Sequence, residues 1–178
     1  FNEGYAASSG AALARTDLSG EAIRLARLLH ASLPDDPEVA GLLALMLLTD
    51  ARRPARATAA GALVPLAEQD RSQWDRGRIT EGLQVLTASM GSGAMGEYQL
   101  QAAVAALHDQ APSHHATDWP RIVALYERLE RLTANPMVTL NRAVAVAMAE
   151  GPDAGLALLR VLDAQLGSHH RLHAARGH

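Results

Sequence analysis

Three features of this sequence predict an all-α fold. Apolar residues recur at steps of three and four over most of the chain, and no long stretch alternates with the two-residue period of a strand. Hydrophobic residues are 48% of the 178 positions but aromatics only 3%, so alanine and leucine do most of the packing. That composition suits close helix–helix contact better than a sheet sandwich. A helix–turn–helix pattern also occurs twice: Ala22 precedes Pro34 by the same interval that separates Ala124 from Pro136. A helical pair cannot bury both faces alone, so antiparallel hairpins stacked on one another are expected.

Taken in order, Phe1 to Tyr5 ends a helix or connector, and Ser8-Ser9-Gly10 loosens the chain after it. Ser19 is a candidate N-cap for a helix from Gly20 to Leu33. Asp36 caps the next, with Pro37 at its first position, and that helix runs to about Ala51. Arg52 to Glu68 breaks helical period around Gly61 and reads as a loop or small hairpin packed on the helices. Ser72 is a candidate cap for a helix through Met90, with Ile79, Leu83, Leu86 and Met90 on one face. Gly91 to Gly96 is a flexible link, Tyr98 to His108 a shorter helix with Leu100, Ala103 and Leu107 inward, and Ala111 to Thr117 a polar loop.

The stretch Asp118 to Gly151 holds the clearest hairpin. Asp118 caps its first helix, with Trp119 and Pro120 in the first turn, and Ile122, Leu125, Leu129 and Leu132 form its apolar stripe. Asn135-Pro136 ends that helix and starts a second through Leu140, Ala143, Val144, Ala147 and Met148, which Gly151 leaves in the left-handed region. GPDAGLALLRVLDAQ adds a helix of a further unit. At least seven helices are therefore expected. Ala22, Ala26 and Ala124 are small enough for close approach, and Leu43, Ala44 and Leu47 give a large–small–large half-repeat. This is the pattern of a tetratricopeptide-type repeat of about 34 residues. The middle of the chain does not keep it, so the expectation is a degenerate solenoid forming one domain over 1–178, with one irregular insertion.

Composition excludes several classes of function. A net charge of −3 without a lysine-rich run argues against gripping a nucleic-acid backbone. No recognition helix rich in Arg, Asn or Gln is apparent, so this chain alone should not bind promoter DNA. With no cysteine, disulfides and thiolate metal sites are impossible, and a reducing cytoplasm is the expected setting. The longest apolar run, Gly41 to Leu48, falls far short of the ~20 residues that span a bilayer. The first residue is not methionine and the last ones fall inside a helical pattern, which reads as a fragment of a longer protein.

Chemistry has one dense candidate, Glu68 to Arg76, where acids, arginines and one of two tryptophans meet at a loop-to-helix transition. Asp70, Arg71, Trp74, Asp75 and Arg76 can be a docking surface, since Trp and Arg often anchor interfaces. Asp70 and Asp75 can also be paired as acid and base. The plainest reading is a helix cap with acids at the positive end of the dipole and Trp74 in the core. Asp35-Asp36 and Asp50 look cap-like. His114-His115 and the trio His169, His170 and His173 lack the carboxylate that completes a helical zinc site, so surface histidines are expected. No phosphate-binding loop, dinucleotide fingerprint or nucleophile elbow occurs. No catalytic, cofactor or metal residues are expected.

Six segments in this order carry a resemblance: FNEGYAASSG, EAIRLARLL, LPDDPEVAGLLALMLLTDARRPAR, EQDRSQWDR, YQLQAAVAALH and LNRAVAVAMAEGPDAGLALL. Together they resemble the C-terminal extension of those bacterial extracytoplasmic-function sigma factors in which a tetratricopeptide-like domain follows the promoter-reading part. The resemblance covers nearly the whole chain. It departs at the end, where the family pattern continues into another helix and this chain stops at His178. It implies the regulatory half of a transcription initiation factor, with the sigma core of the same protein and RNA polymerase as partners. Promoter DNA is then reached only through regions expected before Phe1. The resemblance brings no catalytic residues with it.

Two functions therefore stand side by side. One is a non-enzymatic interaction module that controls a sigma factor. The other is an all-α ligand-sensing or enzymatic domain with a pocket near Trp74 or Trp119.

Overall fold

The structure, a computed structural model, describes residues 16–58, 60–91 and 93–166. The described residues form seven α-helices: α1 Thr16–Ser32, α2 Pro37–Ala51, α3 Arg76–Ser89, α4 Glu97–Gln110, α5 Trp119–Thr133, α6 Pro136–Glu150 and α7 Pro152–Leu166. Three short 3-10 turns, Arg53–Ala55, Leu66–Glu68 and Arg71–Gln73, lie between α2 and α3. The only extended pairing among these residues is an isolated antiparallel bridge between Ala57 and Leu63. The all-α expectation and its count of helices hold. The expected N-terminal connector, Phe1 to Gly10, lies outside the described residues. The chain divides into two compact units, Phe1–Thr117 and Asp118–His178.

In the first unit α2 is central and packs on α1, α3 and α4. Its sequence leaves no polar face: Ala40, Leu43, Ala44, Met46, Leu47, Leu48 and Ala51 are all buried. Asp36 starts it as expected, its carboxylate accepting from the N–H groups of Glu38 at 2.9 Å and Val39 at 3.1 Å. Ile23 and Ala26 of α1 join Leu43, Met46 and Leu47 in one cluster, with Ala22 packed against it.

Two expected caps are corrected. Helix α1 begins at least three residues before Ser19, which is fully buried inside it and accepts a hydrogen bond from the Arg53 guanidinium at 2.7 Å. Helix α3 is capped by Asp75, not Ser72: the Asp75 carboxylate accepts from the Arg78 N–H at 3.0 Å. Ser72 instead sits in a 3-10 turn that Asp70 caps. On α3 the inward face is Ile79, Gly82 and Leu86, while Met90 lies beyond the helix and is exposed. Helix α4 is longer than expected at both ends and buried on several sides, including Leu100, Ala102, Ala103, Val104, Ala105 and Ala106. Leu107 is only half-buried.

The second unit is a helical hairpin, α5 and α6, with α7 packed on α6. Asp118 and Asn135 cap α5 and α6 as expected, each with proline in the first turn. Trp119, Ile122, Leu125 and Leu129 are buried on α5, but Leu132 is exposed and so is Ala124. Ala124 falls outside the stripe that a helix covered along one side buries, whereas Leu132, seven residues after the buried Leu125, shares its face but lies at the exposed C-terminal end of α5. Val144 and Met148 are also exposed, because α6 serves two neighbours and turns Val138, Leu140, Ala143, Ala145 and Val146 toward them. The left-handed exit sits at Ala134 (φ 46°, ψ 30°), whereas Gly151 has positive φ with extended ψ (106°, 161°). Arg142 ties α6 to α5 through Glu130 at 3.0 Å.

Candidate functional site

The irregular segment between α2 and α3 is where the first unit gathers its charge. Arg52 caps the end of α2, and the chain then folds into a small hairpin. Thr58 N–H donates to Ala62 O at 2.8 Å and Val64 N–H to Arg56 O at 2.8 Å. Gly61 supplies the positive φ of 82° that this tight return requires. The loop-or-hairpin expectation for Arg52 to Glu68 is met. The hairpin and the turns after it border an open cavity of about 360 Å³ lined by Arg52, Arg56, Leu63, Val64, Pro65, Leu66 and Gln69. Neither Trp74 nor Trp119 lines it.

The five residues singled out as a docking candidate do come together, each with an internal contact. Asp70 accepts from the Ser72 hydroxyl at 2.6 Å and the Ser72 N–H at 2.9 Å, and these bonds hold its carboxyl below the usual range. Arg71 lies over the Trp74 ring, 4.4 Å from its centroid. The same guanidinium donates to His108 O at 2.7 Å and Ala111 O at 3.1 Å, carbonyls at the C-terminal end of α4. Trp74 is 3% exposed. Asp75 caps α3, and its own N–H donates to Ala51 O at 3.0 Å, joining the segment to α2. Arg76 donates to Arg71 O at 3.2 Å. Asp70, Asp75 and Arg76 are exposed and Arg71 half-buried.

Two buried carboxylates complete the picture, Asp50, expected as a cap-like acid, and Asp109, which sequence reasoning missed. Asp50 is fully buried in the last turn of α2, where it pairs with Arg78 of α3 and lies 3.6 Å from Arg53. Asp109 on α4 is 2% exposed and pairs with Arg52, Nε to Oδ1 3.6 Å. Burial pushes the Asp109 carboxyl up to about 7, although Arg52, Arg71 and Arg76 all pull the other way. Its neighbour His108 is pushed down to about 4, first by burial and then by Arg52, His114 and Arg71. Burial is also the main cause that lowers His114.

A signal for both carboxylates did exist. Asp50 follows Leu43, Met46 and Leu47 at helical spacing, and Asp109 follows Ala102, Ala105 and Ala106. An acid in register with an apolar stripe marks a buried charge that needs a cation.

Among the described residues no group of three or more His, Cys, Asp or Glu side chains could hold a metal ion. His169, His170 and His173 lie outside them. No described helix is long and apolar enough to cross a membrane.

Comparison with known proteins places these residues in a family. An uncharacterized protein of Rhizobium meliloti (strain 1021) is 49% identical over 177 residues, which is 99% of this chain and 42% of the relative. The chain thus spans well under half the length of that relative. No solved structure matches it. Residues 1–90, half of the chain and all of the described part from α1 through α3, match a family of unknown function, DUF6596, and the chain belongs to that family.

Proposed function

We propose that this chain is the regulatory, protein-interaction part of a bacterial extracytoplasmic-function sigma factor, acting in the cytoplasm without catalysis of its own. It docks on the sigma core of the same longer protein and so governs how that protein engages RNA polymerase and promoter DNA. The hairpins α1–α2 and α5–α6 are then units of a tetratricopeptide-like solenoid. The six-segment resemblance supports the sigma-factor assignment, and the greater length of the relative leaves room for a sigma core.

The observation that carries a docking role is a leucine row on α1. Leu18, Leu25, Leu29 and, just past the helix, Leu33 recur at intervals of seven, four and four residues, and each is between 43% and 52% exposed. The opposite face of α1 is spent on the core through Ile23 and Ala26. Such a row is the anchor pattern of a helix that lies in a partner's apolar groove. Exposed apolar residues aligned along one helix mark interaction surfaces, whereas scattered ones do not. Salt-bridged side chains flank it: Arg24 with Glu21 at 2.7 Å, and Arg27 with Glu81 of α3 at 2.7 Å.

The test uses the full-length protein with Leu25→Glu and Leu29→Glu together. The expected result is loss of cross-linking between this domain and the sigma core, altered promoter activity and an unchanged melting temperature. Unaltered cross-linking and activity would sink the reading. Cross-links that run from α1 to RNA polymerase and not to the sigma core would replace the proposed partner.

A further inference from the structure

We propose that the cavity beside α2 binds a small aliphatic carboxylate, its acid group on Arg52 and Arg56 and its alkyl body against Leu63, Val64, Pro65 and Leu66. The seven lining residues include two guanidinium groups and no acid. Arg52 is 8% exposed, and its buried Nε has no hydrogen-bond partner among the described residues. Its one ion-pair partner is Asp109 at 3.6 Å, a distance too long for a good hydrogen bond. A buried guanidinium nitrogen left without an acceptor, beside a cavity whose lining holds two cations and no acid, favours an oxyanion there.

The rest of the lining selects among oxyanions. Inorganic phosphate suits a cradle of backbone N–H groups or a helix N-terminus, whereas four of the seven residues here are apolar. Leu63 is 74% exposed, an apolar surface that gains from being covered. The volume, about 360 Å³, is at the lower end of what small-molecule sites use. The walls are also held in place. The hairpin bonds fix Leu63 and Val64, and the Gln69 side-chain amide donates to Val64 O at 3.1 Å. Asp109, 3.6 Å from Arg52 Nε, remains a weak competitor, since burial disfavours its charged form.

The 178-residue chain would be titrated by calorimetry with acetate, butyrate and hexanoate, and with inorganic phosphate. The expected result is saturable carboxylate binding that tightens by up to about fourfold per added methylene. Arg56→Gln should weaken hexanoate at least tenfold, and Leu63→Ser should remove most of the gain from chain length. Arg52→Gln should abolish binding; because it also strands Asp109, it counts only if the melting temperature survives. Leu63 is exposed, so the Leu63→Ser arm does not depend on folding. Phosphate binding as tight as hexanoate, with no dependence on chain length, would overturn the carboxylate assignment. The absence of saturable binding, or hexanoate binding indifferent to Arg56→Gln and Leu63→Ser, would overturn the site itself.

Discussion

Glu38, in the first turn of α2, caps the start of α4 at Gln99. Its Oε1 accepts from the Gln99 N–H at 3.1 Å and its Oε2 from the Tyr98 N–H at 2.9 Å. The orphan donors of one helix are thus satisfied by a side chain from another, with a full negative charge at the positive end of the dipole. Gly96 makes room for it, since a Cβ there would overlap the Glu38 carboxyl group. Gln99 completes the corner by accepting from the Gly96 N–H at 3.1 Å and donating to Ser89 O at 2.9 Å. Glu38→Ala should cost about 1–2 kcal/mol in urea denaturation. Gly96→Ala should act by evicting the same carboxylate, so the double variant should lose little more than either single one. Additive losses would mean that the two residues are not coupled.

Glycine to alanine should have opposite signs at two helical positions. At Gly41 in α2 a Cβ would lie 2.6 Å from the Gln99 backbone nitrogen and 2.9 Å from the Tyr98 carbonyl carbon, neither of which can swing aside. Overpacking against backbone should make Gly41→Ala destabilising by about 1–3 kcal/mol or more. At Gly20 in α1 a Cβ meets nothing within 4 Å. There the helix propensity of alanine acts unopposed, and Gly20→Ala should gain up to about 1 kcal/mol. Equal effects at the two sites in chemical denaturation would contradict the close α2–α4 approach.

Ala134 holds a left-handed conformation that L-residues adopt at a cost of roughly 1–2 kcal/mol. Its N–H closes the last turn of α5 on Glu130 O at 3.1 Å. Ala134→Gly removes the Cβ strain and gives some of that back as unfolded-state entropy, so a net gain of about 0.5–1 kcal/mol is expected. A lower melting temperature for the variant would show that the exit does not adopt this conformation.

What the sequence made legible was local chemistry. Asp36, Asp118 and Asn135 each cap a helix with proline in its first turn, and they were legible because cap and proline act within one turn of the chain. Ser19 and Ser72 are the same chemistry in the wrong place. Ser19 is claimed by Arg53, which is distant in sequence, while the N–H of Ser72 is itself bound by Asp70 and the cap of α3 falls to Asp75. Leu132, Val144 and Met148 were expected inside because periodicity gives a face but not its partner. The cavity was illegible for a related reason: Arg52 and Gln69 meet only once the hairpin around Gly61 has closed.

His108 gives the acid limb of the stability profile a sign. Its pKa is depressed to about 4 in the folded protein from an ordinary 6.5. Below pH 6.5 the unfolded chain takes up a proton that the folded one refuses, so stability present above that pH is lost as pH falls toward 4. Asp109 works in the opposite sense. Its pKa is raised to about 7 from 3.8, so the stability it allows below 3.8 is lost as pH rises through 7. Over the shared window the two partly cancel in the wild type. His108→Gln should therefore gain on the wild type as pH falls from 6.5 to 4, by up to about 3 kcal/mol. A relative gain that shrinks with acidification would place His108 in a solvated, cation-tolerant setting.

Architecture and docking make different demands on the stretch Asp70 to Arg76. Arg71 gives the C-terminal end of α4 two charge-assisted hydrogen bonds and lies over the Trp74 ring. Together these should make Arg71→Ala cost about 2 kcal/mol. Arg71→Lys should recover less than half of that, because an ammonium cannot reproduce the planar fork over the ring. Asp75→Ala removes the α3 cap and should cost about 1 kcal/mol. Arg76 is exposed and donates to the Arg71 carbonyl at the surface, so Arg76→Ala should leave stability within about 0.5 kcal/mol. If the stretch is built from caps, promoter activity of the full-length protein should fall with Arg71→Ala and Asp75→Ala only as far as melting temperature falls. Arg76→Ala should then be silent in both readouts. Activity lost at an unchanged melting temperature, in Arg76→Ala above all, would move the docking surface from the leucine row of α1 to this stretch.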